Sequence, residues 1–149
     1  MRPILRRIAN ESRLRLGLVT TVRVPVADRS LIVPAARRSF IGRQLAVYGP
    51  LSYEPELCKL LLTWPWRLGT FLDGGANIGL FAGLAELAFG APTTVIAVEP
   101  LATNLALIEE LRAANALGFE VQAAALHPGG ADTVDLFVPE TGIGAESIA

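Results

Sequence analysis

Two carboxylates and the glycine turn between them are the residues of this chain best placed to do chemistry. Asp73 closes the apolar run from Thr70 and opens Asp73-Gly74-Gly75-Ala76-Asn77-Ile78-Gly79. Glu99 closes a second apolar run, Thr94 to Val98. A carboxylate ending the second strand of such a unit can accept both hydroxyls of a ribose. The glycines are spaced Asp73-x-Gly75-x-x-x-Gly79, unlike the dinucleotide pattern G-x-G-x-x-G. Phosphate binding wants bare N–H groups at a helix N-terminus, and an acid at that turn repels a pyrophosphate. A cationic nucleoside suits it better, and S-adenosylmethionine carries both a sulfonium and an ammonium. An NAD-dependent oxidoreductase is a weaker reading, because Asp73 stands where an apolar strand end would.

The expected roles follow. Gly75 lets the backbone approach the methionyl part of the ligand. Asp73 reaches its ammonium directly or through water, and Glu99 holds the ribose. Ala124 and Ala125 end a third strand and are small enough to leave an adenine slot, or are plain core. Asn77 suits the N-cap of the first helix. Gly79 and Gly83 let that helix approach the sheet. His127 precedes Pro128-Gly129 and reads as a loop residue, not a general base. Cys58 reads as inert packing, and Trp64 and Trp66 as a hydrophobic lid. No catalytic base is identified. One cysteine and one histidine exclude an intrachain disulfide and any multi-cysteine or multi-histidine metal site.

Elements must position these groups. Residues 4–16 are mixed basic and apolar, as in a short helix. Thr20 to Val26 and Leu31 to Val33 flank the turn Ala27-Asp28-Arg29-Ser30 and predict a hairpin, with Pro25 confining its strand to an edge. Residues 34–52 fit no element clearly. Pro55 suits the first turn of a helix that buries Leu57, Leu60 and Leu61 and stops near Trp64-Pro65-Trp66. Strands at 70–73, 94–98 and 120–125 alternate with helices at 77–89 and from Leu101 to Gly118. That order argues a parallel sheet with right-handed crossovers. A further short strand is expected from Thr133 to Val138.

Composition permits a real core: 52% of the 149 residues are hydrophobic and mean hydropathy is +0.45. Net charge is −1, so no overall field points to nucleic acid. The charge is nevertheless lopsided. Residues 1–60 carry eleven Lys and Arg against four acids, and residues 61–149 carry two against ten. A basic outer layer over an acidic ligand-binding core is the first reading, and a basic arm for RNA or anionic lipid the second. The apolar stretch Ile78 to Val98 is broken at Gly90-Ala91-Pro92, so no membrane span is expected. No long apolar segment follows the basic start Met1-Arg2-Pro3, so a signal peptide is not expected, and a cytoplasmic protein is.

Tyr53-Glu54-Pro55-Glu56, the Asp73–Gly79 run, Val95-Ile96-Ala97-Val98-Glu99-Pro100, Asn115 and Ala124-Ala125-Leu126 together resemble the FkbM family of S-adenosylmethionine-dependent methyltransferases. The resemblance covers residues 50–130. It implies a Rossmann-like class I methyltransferase fold and O-methylation of a hydroxyl on a small molecule, sugar or lipid. By motif position it makes Asp73, Gly75, Asn77, Gly79 and Glu99 cofactor-site residues. Residues 1–52 are then an N-terminal extension, and residues 53–149 the N-terminal part of the cofactor-binding domain. His127-Pro128 departs from the polar continuation of the family. The strands that would complete its sheet are not in the chain, so an incomplete sheet with its first strand at an edge is expected. Self-association through that edge, or a cofactor-binding fragment or pseudoenzyme needing a partner chain, is the alternative.

Overall fold

In a computed structural model, which describes residues 3–34, 36–64, 69–129, 133–138 and 147–148, helices and small sheets alternate. The order is α1 (Pro3–Arg15), β1 (Val22–Val26), β2 (Arg29–Val33), α2 (Phe40–Tyr48), α3 (Pro55–Thr63), β3 (Thr70–Gly74), α4 (Leu80–Phe89), β4 (Thr94–Val98), α5 (Ala102–Asn115), β5 (Glu120–Gln122), β6 (Leu136–Phe137) and β7 (Ser147–Ile148). The protein is therefore mixed α/β.

The expected hairpin forms, from Val22 opposite Val33 to Val26 opposite Arg29. Val24, Val26, Leu31 and Val33 are buried, as the two-residue alternation of a strand requires. Its turn is tighter than expected, only Ala27 and Asp28, because Arg29 and Ser30 already pair with Val26 and Pro25. The unassigned segment holds α2, which begins where Ser39 Oγ accepts the Gly42 N–H at 2.9 Å. In α3, Pro55 takes the first turn as expected, and Cys58 and Leu61 are the buried pair. Leu60, expected inside, faces out at 47% exposure. Trp66 lies outside the described residues.

Strands β3, β4 and β5 pair side by side, both pairs parallel, with α4 and α5 in the connections. Among the described residues β3 is an edge of this sheet. α4 starts three residues later than the sequence suggests, since Asn77 (φ 51°) and Gly79 (φ 77°) both adopt left-handed backbone. α5 likewise ends at Ala116 (φ 52°) rather than at Gly118. The strand expected from Thr133 to Val138 shrinks to β6, which pairs antiparallel with β7 in a separate two-stranded sheet.

Both helices lie on one face of the parallel sheet. α4 packs on β3 and β4, and a Cβ on Gly79 would meet Ile108 of α5 at 3.3 Å. The opposite face carries Leu72, 54% exposed, and Ile96, with no covering helix among the described residues. The hairpin does not stand apart. Val24, Leu31 and Leu45 share one core with Leu80, Leu84 and Ile108. Asn115, at the end of α5, donates to Ile32 O and accepts from Ile32 N, both at 2.7 Å, and so binds the backbone of β2 as another strand would. Glu86 of α4 accepts the Gly118 and Phe119 N–H groups at 2.9 and 2.8 Å, fixing the entry to β5.

Candidate functional site

The C-terminal ends of β3 and β4 open into a cleft of about 360 Å³, within the size range of small-molecule sites. Gly75, Asn77, Glu99, Ala124 and Ala125 line it, together with Leu126 and Pro100. Five of the seven expected site residues thus converge. Asp73 and Gly79 do not reach the cleft. A larger groove of about 710 Å³ opens beside Thr94 and Glu120, at the other end of the strands. Open parallel sheets bind ligands at their carboxyl ends, so the smaller cleft is the candidate.

The turn 75–77 is held against the sheet by its own backbone. Gly75 and Ala76 both donate to Val98 O, at 2.9 and 3.0 Å. Asn77 N donates to Glu99 Oε2 at 2.8 Å. Gly75 (φ 78°) adopts the left-handed conformation that this reversal needs. Asn77 is therefore not the expected N-cap; Gly79 holds that position, and Asn77 contributes its main chain to the turn.

Glu99 is 4% exposed. Its Oε1 accepts from Leu101 N at 3.0 Å and Asn104 Nδ2 at 3.2 Å, at the start of α5, where negative charge is favoured. With Asn77 N on Oε2, three of the four acceptor positions of a carboxylate are taken. One remains, on Oε2, so the site offers one direct acceptor for a ribose hydroxyl rather than two.

Asp73 turns the other way. Its Oδ2 accepts the Ala82 N–H of α4 at 2.9 Å, anchoring the helix start that Asn77 does not cap. Burial pushes its carboxyl up to about 6; the Ala82 hydrogen bond opposes this, and the Glu54 and Glu99 charges add to it. Glu54 is the neighbour that sequence reasoning missed. It stands at the N-cap of α3 with φ 42°, an uncommon conformation for a non-glycine residue. The adjoining Tyr53 stacks on Phe81 at 6.0 Å and meets Phe40 edge-on at 6.4 Å. Burial, then Glu54, then Asp73 push its phenol up. The signal was Pro55, which biases the residue before it away from right-handed helical backbone.

Ala124 and Ala125 lie beyond the end of β5, Ala124 exposed and Ala125 half-buried, so they are cleft wall rather than core. Leu126 folds back over Gly74, where a Cβ would meet its Cδ1 at 2.6 Å. Gly83 is needed for close packing against Leu31 of β2 and Leu111 of α5 (3.0 and 3.1 Å from a Cβ), so it serves the approach to the hairpin rather than to the parallel sheet. His127 is exposed, with Nδ1 accepting from Gly129 N at 3.0 Å, as a loop residue would. Cys58 is buried, and burial and then Glu54 push its thiol up, which makes it unreactive. No group of three metal-ligating side chains occurs among the described residues. No helix among them is long and apolar enough to cross a membrane.

No protein family, curated protein or solved structure matches this chain.

Proposed function

We propose that this chain forms the cofactor-binding part of an S-adenosylmethionine-dependent methyltransferase with a Rossmann-like fold. Its product would be the O-methyl ether of a hydroxyl on a small molecule, sugar or lipid. The observation that carries the reading is Glu99, buried just beyond the end of β4 and lining a cleft walled by a glycine turn and two alanines. The residues fit the cofactor by size and donor set. Glu99 accepts a ribose hydroxyl, and Ala124 and Ala125 leave space for a flat base. Asp73 and Glu54 supply negative potential near the turn, which suits a cationic methionyl end.

The cofactor, when bound, supplies an electrophilic methyl group; the residues of this chain bind and orient it. Glu99 is the one titratable side chain among the described cleft residues, and three N–H donors already hold it. It is a poor base for an acceptor hydroxyl. The bare edge of β3 and exposed Leu72 favour a second reading, a cofactor-binding module that a partner chain completes.

Calorimetric titration with S-adenosylhomocysteine tests the first reading. The parent chain should bind it in preference to NAD. Ala124→Phe, which fills the cleft from an exposed position, should weaken binding by about tenfold or more while leaving the melting temperature unchanged. A folded chain that binds NAD better, or that ignores the substitution, rules the reading out.

A further inference from the structure

We infer that α1 is an interfacial helix that docks the protein on an anionic lipid surface. One side of α1 is fixed to the body. Leu14 is buried with Ala36 and Val47, and Asn10 Nδ2 donates to Val47 O at 3.2 Å. The other side is bare. Ile4, Leu5 and Ile8 fall at i, i+1 and i+4, which places them on one face. They are 71%, 56% and 56% exposed.

Exposed apolar side chains are not spread evenly over the protein. Nine of the twelve large ones among the described residues lie between Ile4 and Leu60, the segment with eleven Lys and Arg against four acids. Apolar surface and positive charge thus share the same two-fifths of the chain. α1 itself carries Arg6, Arg7, Arg13 and Arg15 against Glu11 alone. Among the described residues within 1–60, only Arg15 and Arg38 form ion pairs with described carboxylates. Arg7 stacks over Tyr48 at 4.5 Å, which keeps its guanidinium beside the helix. Next to it, Arg43 and the Arg15–Glu11 pair line a cleft of about 300 Å³ between α1 and α2, where Arg43 has no carboxylate partner among the described residues.

An apolar face flanked by arginines on a helix of low overall hydrophobicity is the pattern of a helix lying in a bilayer interface. Anionic headgroups complement the charge. RNA would satisfy the arginines but leave Ile4, Leu5 and Ile8 in water, because aliphatic side chains give bases no stacking platform. The inference does not depend on methyl transfer, and its test reads binding alone.

The experiment is flotation of the 149-residue chain with vesicles of phosphatidylcholine containing about 30 mol% phosphatidylglycerol, and with vesicles of phosphatidylcholine alone. The parent should partition onto the anionic vesicles at least about tenfold better. Ile8→Asp and the double variant Arg6→Glu/Arg13→Glu should each reduce that partition by about tenfold or more. All three positions are exposed, and circular dichroism should show unchanged helix content. Equal partition onto both vesicles, or full partition by Ile8→Asp, would overturn the inference. So would a single-stranded RNA oligonucleotide that binds the chain and displaces it from the vesicles.

Discussion

Asp73 Oδ2 accepts the backbone N–H of Ala82 at 2.9 Å, so the acid that ends β3 also starts α4. Its burial raises its carboxyl to about 6, which links this contact to pH. In the unfolded chain the carboxyl loses its proton near 4. Between those values the folded state holds the extra proton, so stability falls as pH rises from about 4 to about 6 and then levels. The gap corresponds to roughly 2–3 kcal/mol at full effect. Asp73→Asn keeps an acceptor for Ala82 and removes the ionisation. Chemical denaturation should find it as stable as the parent at pH 4 and more stable at pH 7.5. An unchanged slope would show that burial of Asp73 is not its cause.

Glu99 joins three donors from two elements, the turn at Asn77 and the start of α5. Glu99→Ala leaves those N–H groups without their acceptor and should cost about 2–4 kcal/mol. Glu99→Gln keeps one oxygen and should cost less. Urea midpoints for the two variants measure the difference; equal losses would mean that Oε1 and Oε2 do not act separately.

Gly74 lies under Leu126, the far end of a flexible and half-exposed side chain. Gly74→Ala should therefore swing Leu126 aside at small cost in stability, under about 1 kcal/mol. The displaced side chain belongs to the cleft wall, so binding of S-adenosylhomocysteine should weaken. Leu126→Ala in the same chain should restore it. Additive losses in this cycle would place the effect elsewhere.

The legible parts of the fold were those written in local periodicity. β4 was readable to the residue, since Thr94 leads into the unbroken apolar run Val95 to Val98, which Glu99 closes. The start of α4 and the end of α5 were not. Asn77 and Ala116 adopt left-handed backbone without being glycine; Asn77 N donates to Glu99, and Ala116 N closes the last turn of α5 on Arg112 O. Ala124 and Ala125 were readable as small residues near the third strand, but β5 stops short of them. The second task of each acid was hidden, because hydrogen bonds to Ala82 and Asn77 depend on how the turn folds back.

Asn115 is the least conspicuous anchor of the N-terminal hairpin. Asn115→Ala removes both of its bonds to Ile32 and should destabilise the protein by about 1–3 kcal/mol. Hydrogen exchange should rise most at the Ile32 amide. Faster exchange confined to α5 would contradict this.

That pair also sets a delay during synthesis. Ile32 and Asn115 lie 83 positions apart. At about 5–20 residues per second, the hairpin leaves the ribosome roughly 4 to 17 s before its lock is made. For about the first two thirds of that interval Val24, Leu31 and Val33 have neither α4 nor α5 to cover them, and for the remainder they lack a complete α5. The nascent chain thus exposes an apolar face that the finished protein covers.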